Sequence, residues 1–182
     1  MTEPEFDLGR YAWTIRVARR RVLIGFAVAA MTMWLASPTW TWLAVGGAIA
    51  AVGCAVRIWA AGHLDKAREV TTSGPYRYTR HPLYVGSFIM AIGVVTAAAD
   101  ARVAAVVFGY VAVTFTAAVR LEEAWLRARF GTRYDDYASG QLRPVPRRFS
   151  LARARANGEH LAVLGLAAGM AVFAVKAWLA GR

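Results

Sequence analysis

Five apolar runs divide the chain: roughly Val22–Ser37, Trp40–Trp59, Leu83–Ala99, Val103–Val119 and Leu161–Ala180. At about 1.5 Å of rise per residue, each makes a helix of roughly 24–30 Å, close to the thickness of a bilayer's hydrocarbon core. Five such helices could not all be buried inside one small soluble domain. The pattern predicts an all-α integral membrane protein, a single domain over residues 1–182 with about five transmembrane helices.

The polar intervals are unequal. Ser37–Thr39 and Asp100–Arg102 are too short to carry a site. About Ala60–Pro82 and Glu122 to about His160 are long, and both fall at the same end of the predicted bundle. Between Ala104 and Phe130 there is no proline and only Gly109. A continuous helix there, roughly 40 Å long, projects beyond the hydrocarbon with Glu122 and Glu123 at or past the interface. Gly131 breaks it. "RPVP" (Arg143–Pro146) is a rigid extended segment that turns the chain back, and a short basic piece, Arg147–Arg155, lies along the surface.

Composition agrees, with 58% apolar residues, 18% charged and seven Trp. The net charge of +11 raises nucleic acid as a partner, but position removes that reading. Of the 22 Lys and Arg, all except Arg102, Lys176 and Arg182 lie before the first run, around the link from the second run to the third (Arg57 to Arg80) or between the fourth and fifth (Arg120 to Arg155). Positive-inside bias puts the N-terminus and both long loops in the cytosol and the C-terminus outside, as in a bacterial inner membrane. A basic region before a short apolar run also fits a cleaved leader, but Ser37-Pro38 is a poor cleavage context, so a retained helical hairpin is expected. The one cysteine, Cys54, lies inside a span and excludes an intramolecular disulfide.

Chemistry concentrates in "SGPYRYTRHPLYVG", Ser73–Gly86. Gly74-Pro75 reads as a turn, and Thr79–Pro82 as a helix start with Pro82 in the first turn, where its missing N–H costs nothing. Such a start leaves backbone N–H groups free, and Arg80 and His81 add donors, which suits a carboxylate or phosphate. The same residues also make a capped span with Tyr76, Tyr78 and Tyr84 as interfacial anchors. Glu122-Glu123 poses the reciprocal case. Arg120 and Arg127 stand at helical pairing distance from Glu123, and the two carboxylates point about 100° apart, so one can face inward toward a cation. Together the motifs would hold a zwitterionic, aromatic ligand. His63 and His81 are not at metal-ligand spacing, and no metal site is expected.

"GPYRYTRHPLYVG", followed by "EEAWLRARFGTRYDDY" and "RPVP", resembles the isoprenylcysteine carboxyl methyltransferase family and the related phospholipid methyltransferases, over about residues 63–146. The resemblance implies an integral membrane enzyme that takes S-adenosylmethionine from the cytosol and methylates a lipid-like or prenylated acceptor from the bilayer, with carboxyl O-methylation favoured. It implies that His81, Pro82, Tyr84 and Gly86 hold the cofactor, that Glu122 or Glu123 takes its ammonium group, and that Tyr134, Tyr137 and the "RPVP" segment close over the adenosine. Arg80 would orient the acceptor, with Glu123 as the second catalytic candidate. His63, Asn157 and Glu159 are further candidates for lining the site. The chain departs from the family at Ser139–Leu142, "SGQL", where an R-V-P-like run is usual. Two other readings fit the same motifs: a membrane reductase of the sterol-reductase type using NADPH, and a membrane scaffold without activity.

Overall fold

The computed structural model describes residues 11–66 and 68–181, which leaves Arg10 and Arg182 of the charge argument outside the described residues. Those residues are all-helical, with seven α-helices and no strand: α1 Ala12–Leu35, α2 Trp40–His63, α3 Pro82–Ala98, α4 Ala101–Phe130, α5 Thr132–Ala138, α6 Leu151–Ala156 and α7 Glu159–Leu179. Among them α2, α4 and α7 are long and apolar enough to cross a membrane, and α3 is a shorter apolar helix. The chain is a multi-pass membrane protein. α1 is as long as α2, 24 residues, but Arg16 and Arg19–Arg21 lie within it, so only its second half is continuously apolar. It starts well before the apolar run because no proline or glycine breaks the basic stretch ahead of Val22.

α4 is 30 residues and runs unbroken past Glu122 and Glu123. It stops at Gly131, whose φ of 54° is costly for any residue with a Cβ. Thr39 caps α2 by accepting from Trp42 N–H, and Asp100 caps α4 by accepting from Arg102 N–H.

The closest helix pair is α2 with α3. Gly46, Ala50 and Gly53 fall on one stripe of α2 and meet Gly86, Gly93 and Ala97 of α3. Small residues let the two backbones touch, the main source of helix association where lipid offers no hydrophobic drive. A Cβ at Gly53 would stand 2.5 Å from Met90 N and 2.6 Å from Gly86 O. We therefore expect Gly53→Val to lower the thermal unfolding temperature in detergent, by an overpacking cost of about 1–3 kcal/mol. Gly47→Val, where nothing lies within 4 Å, should be nearly neutral. Equal effects of the two would refute this packing.

At the end away from the two long loops, Ala98, Val103, Val107 and Phe173 form an apolar core. There Lys176 of α7 donates to Met33 O and Ala36 O, each at 2.6 Å, and to Trp34 O at 3.1 Å. An ammonium over the last carbonyls of α1 offsets that helix's dipole and ties α7 to α1.

At the other end the two long loops are latched together. Val145 N–H donates to Thr72 Oγ1 (2.9 Å), Tyr137 O–H to Tyr76 O (2.8 Å) and Ser150 N–H to Gly62 O (3.1 Å). Arg147 pairs with Glu69 at 2.7 Å and Asp65 at 3.5 Å. Asn157 Nδ2 donates to Ala61 O and Leu64 O at 2.9 and 3.0 Å. The segment from Gln141 to Ser150 has no helix and runs as a strap, as the prolines require.

Candidate functional site

Beside these latches lies an open cavity of about 660 Å³ between α2, α3, α4 and the loops, within the size range of small-molecule sites. Six aromatic residues line it, Tyr76, Tyr84, Phe115, Trp125, Tyr134 and Tyr137, among aliphatic ones. Arg57, Lys66, Glu69, Arg80, Glu122 and Glu159 bring charge to it.

The adjacent glutamates have different surroundings. Glu123 is held by three basic side chains: Oε1 lies 3.0 Å from His81 Nε2 and 3.3 Å from Arg80 Nη1, and Oε2 lies 3.5 Å from Arg127 Nη1. Glu122 lines the cavity and faces Tyr76 and Tyr84. Among the described residues it has no cationic partner within ion-pair distance. Turning by about 100° between successive residues separates the two roles. Of the two arginines spaced to meet Glu123, only Arg127 does so; the Arg120 guanidinium lies over the Trp13 ring at 5.6 Å.

Burial shapes the tyrosines outside the spanning helices. Tyr76 is pushed up by burial and then by the nearby Glu122 carboxylate. Tyr134 is raised by burial and by Glu123, and Tyr137 is pushed up to about 12 by burial and its neighbour Tyr134. All three stay neutral hydrogen-bonding groups at physiological pH. The Tyr134 hydroxyl is buried and has no hydrogen-bond partner among the described residues, and the same holds for His81 Nδ1 and Ser73 Oγ. Buried polar atoms without partners are rare, and one in a cavity wall is suited to a ligand.

The floor holds an ion pair that spacing along the chain does not reveal. Arg57 of α2 donates through Nε and Nη2 to the two oxygens of Glu159 at the start of α7, at 2.9 and 2.8 Å, and through Nη1 to Ser87 Oγ. The Glu159 side chain is only 5% exposed and that of Arg57 23%. A paired charge inside the bundle of a membrane protein is expensive and marks a functional region. In sequence Arg57 counts as one more basic residue near a loop; a charge within the α2 span was the available signal.

The structure thus brings Arg80, Tyr84, Glu122, Tyr134, Tyr137, Asn157 and Glu159 to one cavity. His81 and Glu123 form the ion cluster beside it. Pro82 and Gly86 are buried, Gly86 against Gly53 and Arg57 of α2. His63 is packed under the loops, its ring against Gly74 and Phe149 and its Nδ1 3.0 Å from Trp59 O. "RPVP" lies in the strap, latched through Val145 to Thr72, and does not line the cavity. Among the described residues no group of three or more His, Cys, Asp or Glu converges as metal ligands would.

Residues 50–128 match the model of the isoprenylcysteine carboxyl methyltransferase (ICMT) family. The family resemblance holds over that span. It begins earlier than the motifs alone indicate, within α2, and stops before "RFGTRYDDY". The ICMT segment therefore contributes Arg57, Arg80, Tyr84 and Glu122 to the cavity, while Tyr134, Tyr137, Asn157 and Glu159 come from beyond it. Two curated relatives are similar. The nickel-cobalt-cadmium resistance protein NccN of Alcaligenes xylosoxydans xylosoxydans is 33% identical over 107 residues, covering 58% of this chain and 48% of the relative. The cobalt-zinc-cadmium resistance protein CzcN of Cupriavidus metallidurans is 29% identical over 125 residues, covering 63% and 56%. The chain thus spans about half the length of the curated relatives it matches. No solved structure matches it.

Proposed function

We propose that the protein is an S-adenosylmethionine-dependent methyltransferase of the membrane, acting on a lipid-like or prenylated acceptor, with carboxyl O-methylation favoured. The observation that carries this reading is the Glu122 carboxylate, which meets Tyr84 but no cation among the described residues, in a cavity lined by six aromatic rings that also holds Arg80. A ligand with an ammonium, a carboxylate and an aromatic base has a complement for each part there. In this reading the five apolar runs are five spans, the N-terminus and both long loops are cytosolic, and the membrane is a bacterial inner membrane.

The cofactor fits the residues present. Glu122 would take its ammonium group and Arg80 its carboxylate, in place of the acceptor role that the resemblance implies for Arg80, and the Tyr134 hydroxyl would gain a partner. The N–H groups of His81, Tyr84 and Val85 at the start of α3 are already spent on Thr79 Oγ1 and His81 O. Bound there, S-adenosylmethionine would supply a methyl group on a sulfonium. The protein's part is to align the acceptor and exclude water, because an in-line displacement onto a carboxylate needs no base. Space for a lipophilic acceptor adjoins the site: an apolar chamber of about 360 Å³ among α1, α3, α4 and α7 shares Ser87 and Phe115 with the cavity walls.

Calorimetry on the detergent-solubilised protein tests the reading. Micromolar binding of S-adenosylhomocysteine with no heat from NADPH is the expected result. Binding of NADPH alone would replace it with the reductase, and silence with both with a scaffold.

A further inference from the structure

A second, outward-facing groove of about 310 Å³ lies where α6 meets α2 and α7. Ile58, Ala154, Val163 and Leu164 form its apolar surface, and Arg155 and His160 stand beside them. Leu164 and the nearby Leu151 and Leu161 are exposed, so the surface turns toward lipid rather than into the bundle. His160 is in the first turn of α7, which puts the rim at the end of an apolar span, the depth at which phosphates of a bilayer lie.

The arginines of this region divide into two kinds. Arg147 is committed to Glu69 and Asp65, and Arg153 to the backbone oxygens of Gly62 and Arg148. Arg148 and Arg155 are exposed, with no carboxylate at ion-pair distance among the described residues. Unneutralised guanidinium beside a strip of hydrocarbon is complementary to an anion that carries an acyl chain.

We propose that this groove binds one acidic glycerophospholipid of the bilayer. Its chain lies against Ile58, Val163 and Leu164, and its phosphate meets Arg155 and His160, with Arg148 just ahead of α6 adding charge. A zwitterionic lipid fills the groove equally well but brings its own cation to the arginines, so preference for net negative charge is the signature. Glu159 walls both this groove and the cavity, so the lipid sits against the helix turn that holds Arg57. The site is independent of the reaction proposed above.

Native mass spectrometry of the full chain in detergent, with dioleoyl-phosphatidylglycerol and dioleoyl-phosphatidylcholine as probes, tests it. The expected result is retention of the glycerol lipid about fivefold or more over the choline lipid, the worth of roughly 1 kcal/mol for one arginine at a membrane surface. Arg148→Gln with Arg155→Gln should remove that preference. Val163→Trp, which fills the groove and leaves the charges, should reduce retention of both lipids. Thermal melts establish that each variant is folded. Equal retention by the unmodified protein, a preference that survives the double arginine variant, or unchanged retention in Val163→Trp would each overturn the proposal.

Discussion

Glu122→Gln is expected to weaken S-adenosylhomocysteine binding by at least about tenfold, roughly 1.4 kcal/mol, the worth of a charge-assisted contact. Glu123→Gln should change the affinity far less. The contrast follows from what each carboxylate touches. Glu123 already meets His81, Arg80 and Arg127, so its charge is matched within the protein. Removing that charge leaves three basic groups facing one another, and the loss falls on stability. Glu122 faces Tyr76 and Tyr84 without a cation, so a ligand ammonium is the partner it lacks. Titration calorimetry of both single variants, each shown folded by its thermal melt, decides the matter. A tenfold loss in Glu123→Gln with Glu122→Gln unaffected would exchange the two assignments.

The second large effect is expected at the floor of the cavity. Arg57→Met or Glu159→Leu alone should destabilise the protein by about 3–5 kcal/mol, because each leaves a buried charge without its partner. Arg57→Met combined with Glu159→Leu should cost much less than the sum, since removing both charges also removes the desolvation penalty. A double-mutant cycle on thermal unfolding in detergent measures the coupling. Additive effects would mean that the bidentate pair at 2.8 and 2.9 Å does not persist in solution. The pair lies where Ser87 borders both the cavity and the apolar chamber, so its loss should also impair placement of a lipophilic acceptor.

How far these features can be read from residues alone depends on the range over which each is specified. The apolar runs locate α2, α4 and α7, and the lack of breakers after Ala104 foretells a helix that carries Glu122 and Glu123 past the core. Gly131 ends it because a helix cannot continue through a positive φ. The convergence of "SGPYRYTRHPLYVG" with Glu122 is legible because both sit at the same end of antiparallel helices. The start of α1 is not, since arginines are good helix formers and mark no boundary. Nor does the sequence say which glutamate faces inward, because rotation of α4 is set by its packing on α1 and α3. Arg57 and Glu159 are 102 residues apart and meet only when α7 returns beside α2. The place of "RPVP" in a strap rather than in the cavity wall likewise depends on Thr72, which accepts from Val145 N–H.

The glycine stripe between α2 and α3 limits how a ligand can enter. Two backbones in contact have no side chains to rearrange between them, so that wall of the cavity behaves as one rigid plate. The opposite wall includes Tyr134 and Tyr137 of α5, held by the Tyr137–Tyr76 hydrogen bond, and the strap behind it is held by the Val145–Thr72 hydrogen bond and the Arg147 ion pairs. Breaking a few polar contacts at the water surface costs far less than prising apart packed backbone. We expect a water-soluble ligand to widen the cavity by displacing α5 while α2 and α3 stay fixed, with Tyr137 as the fastening.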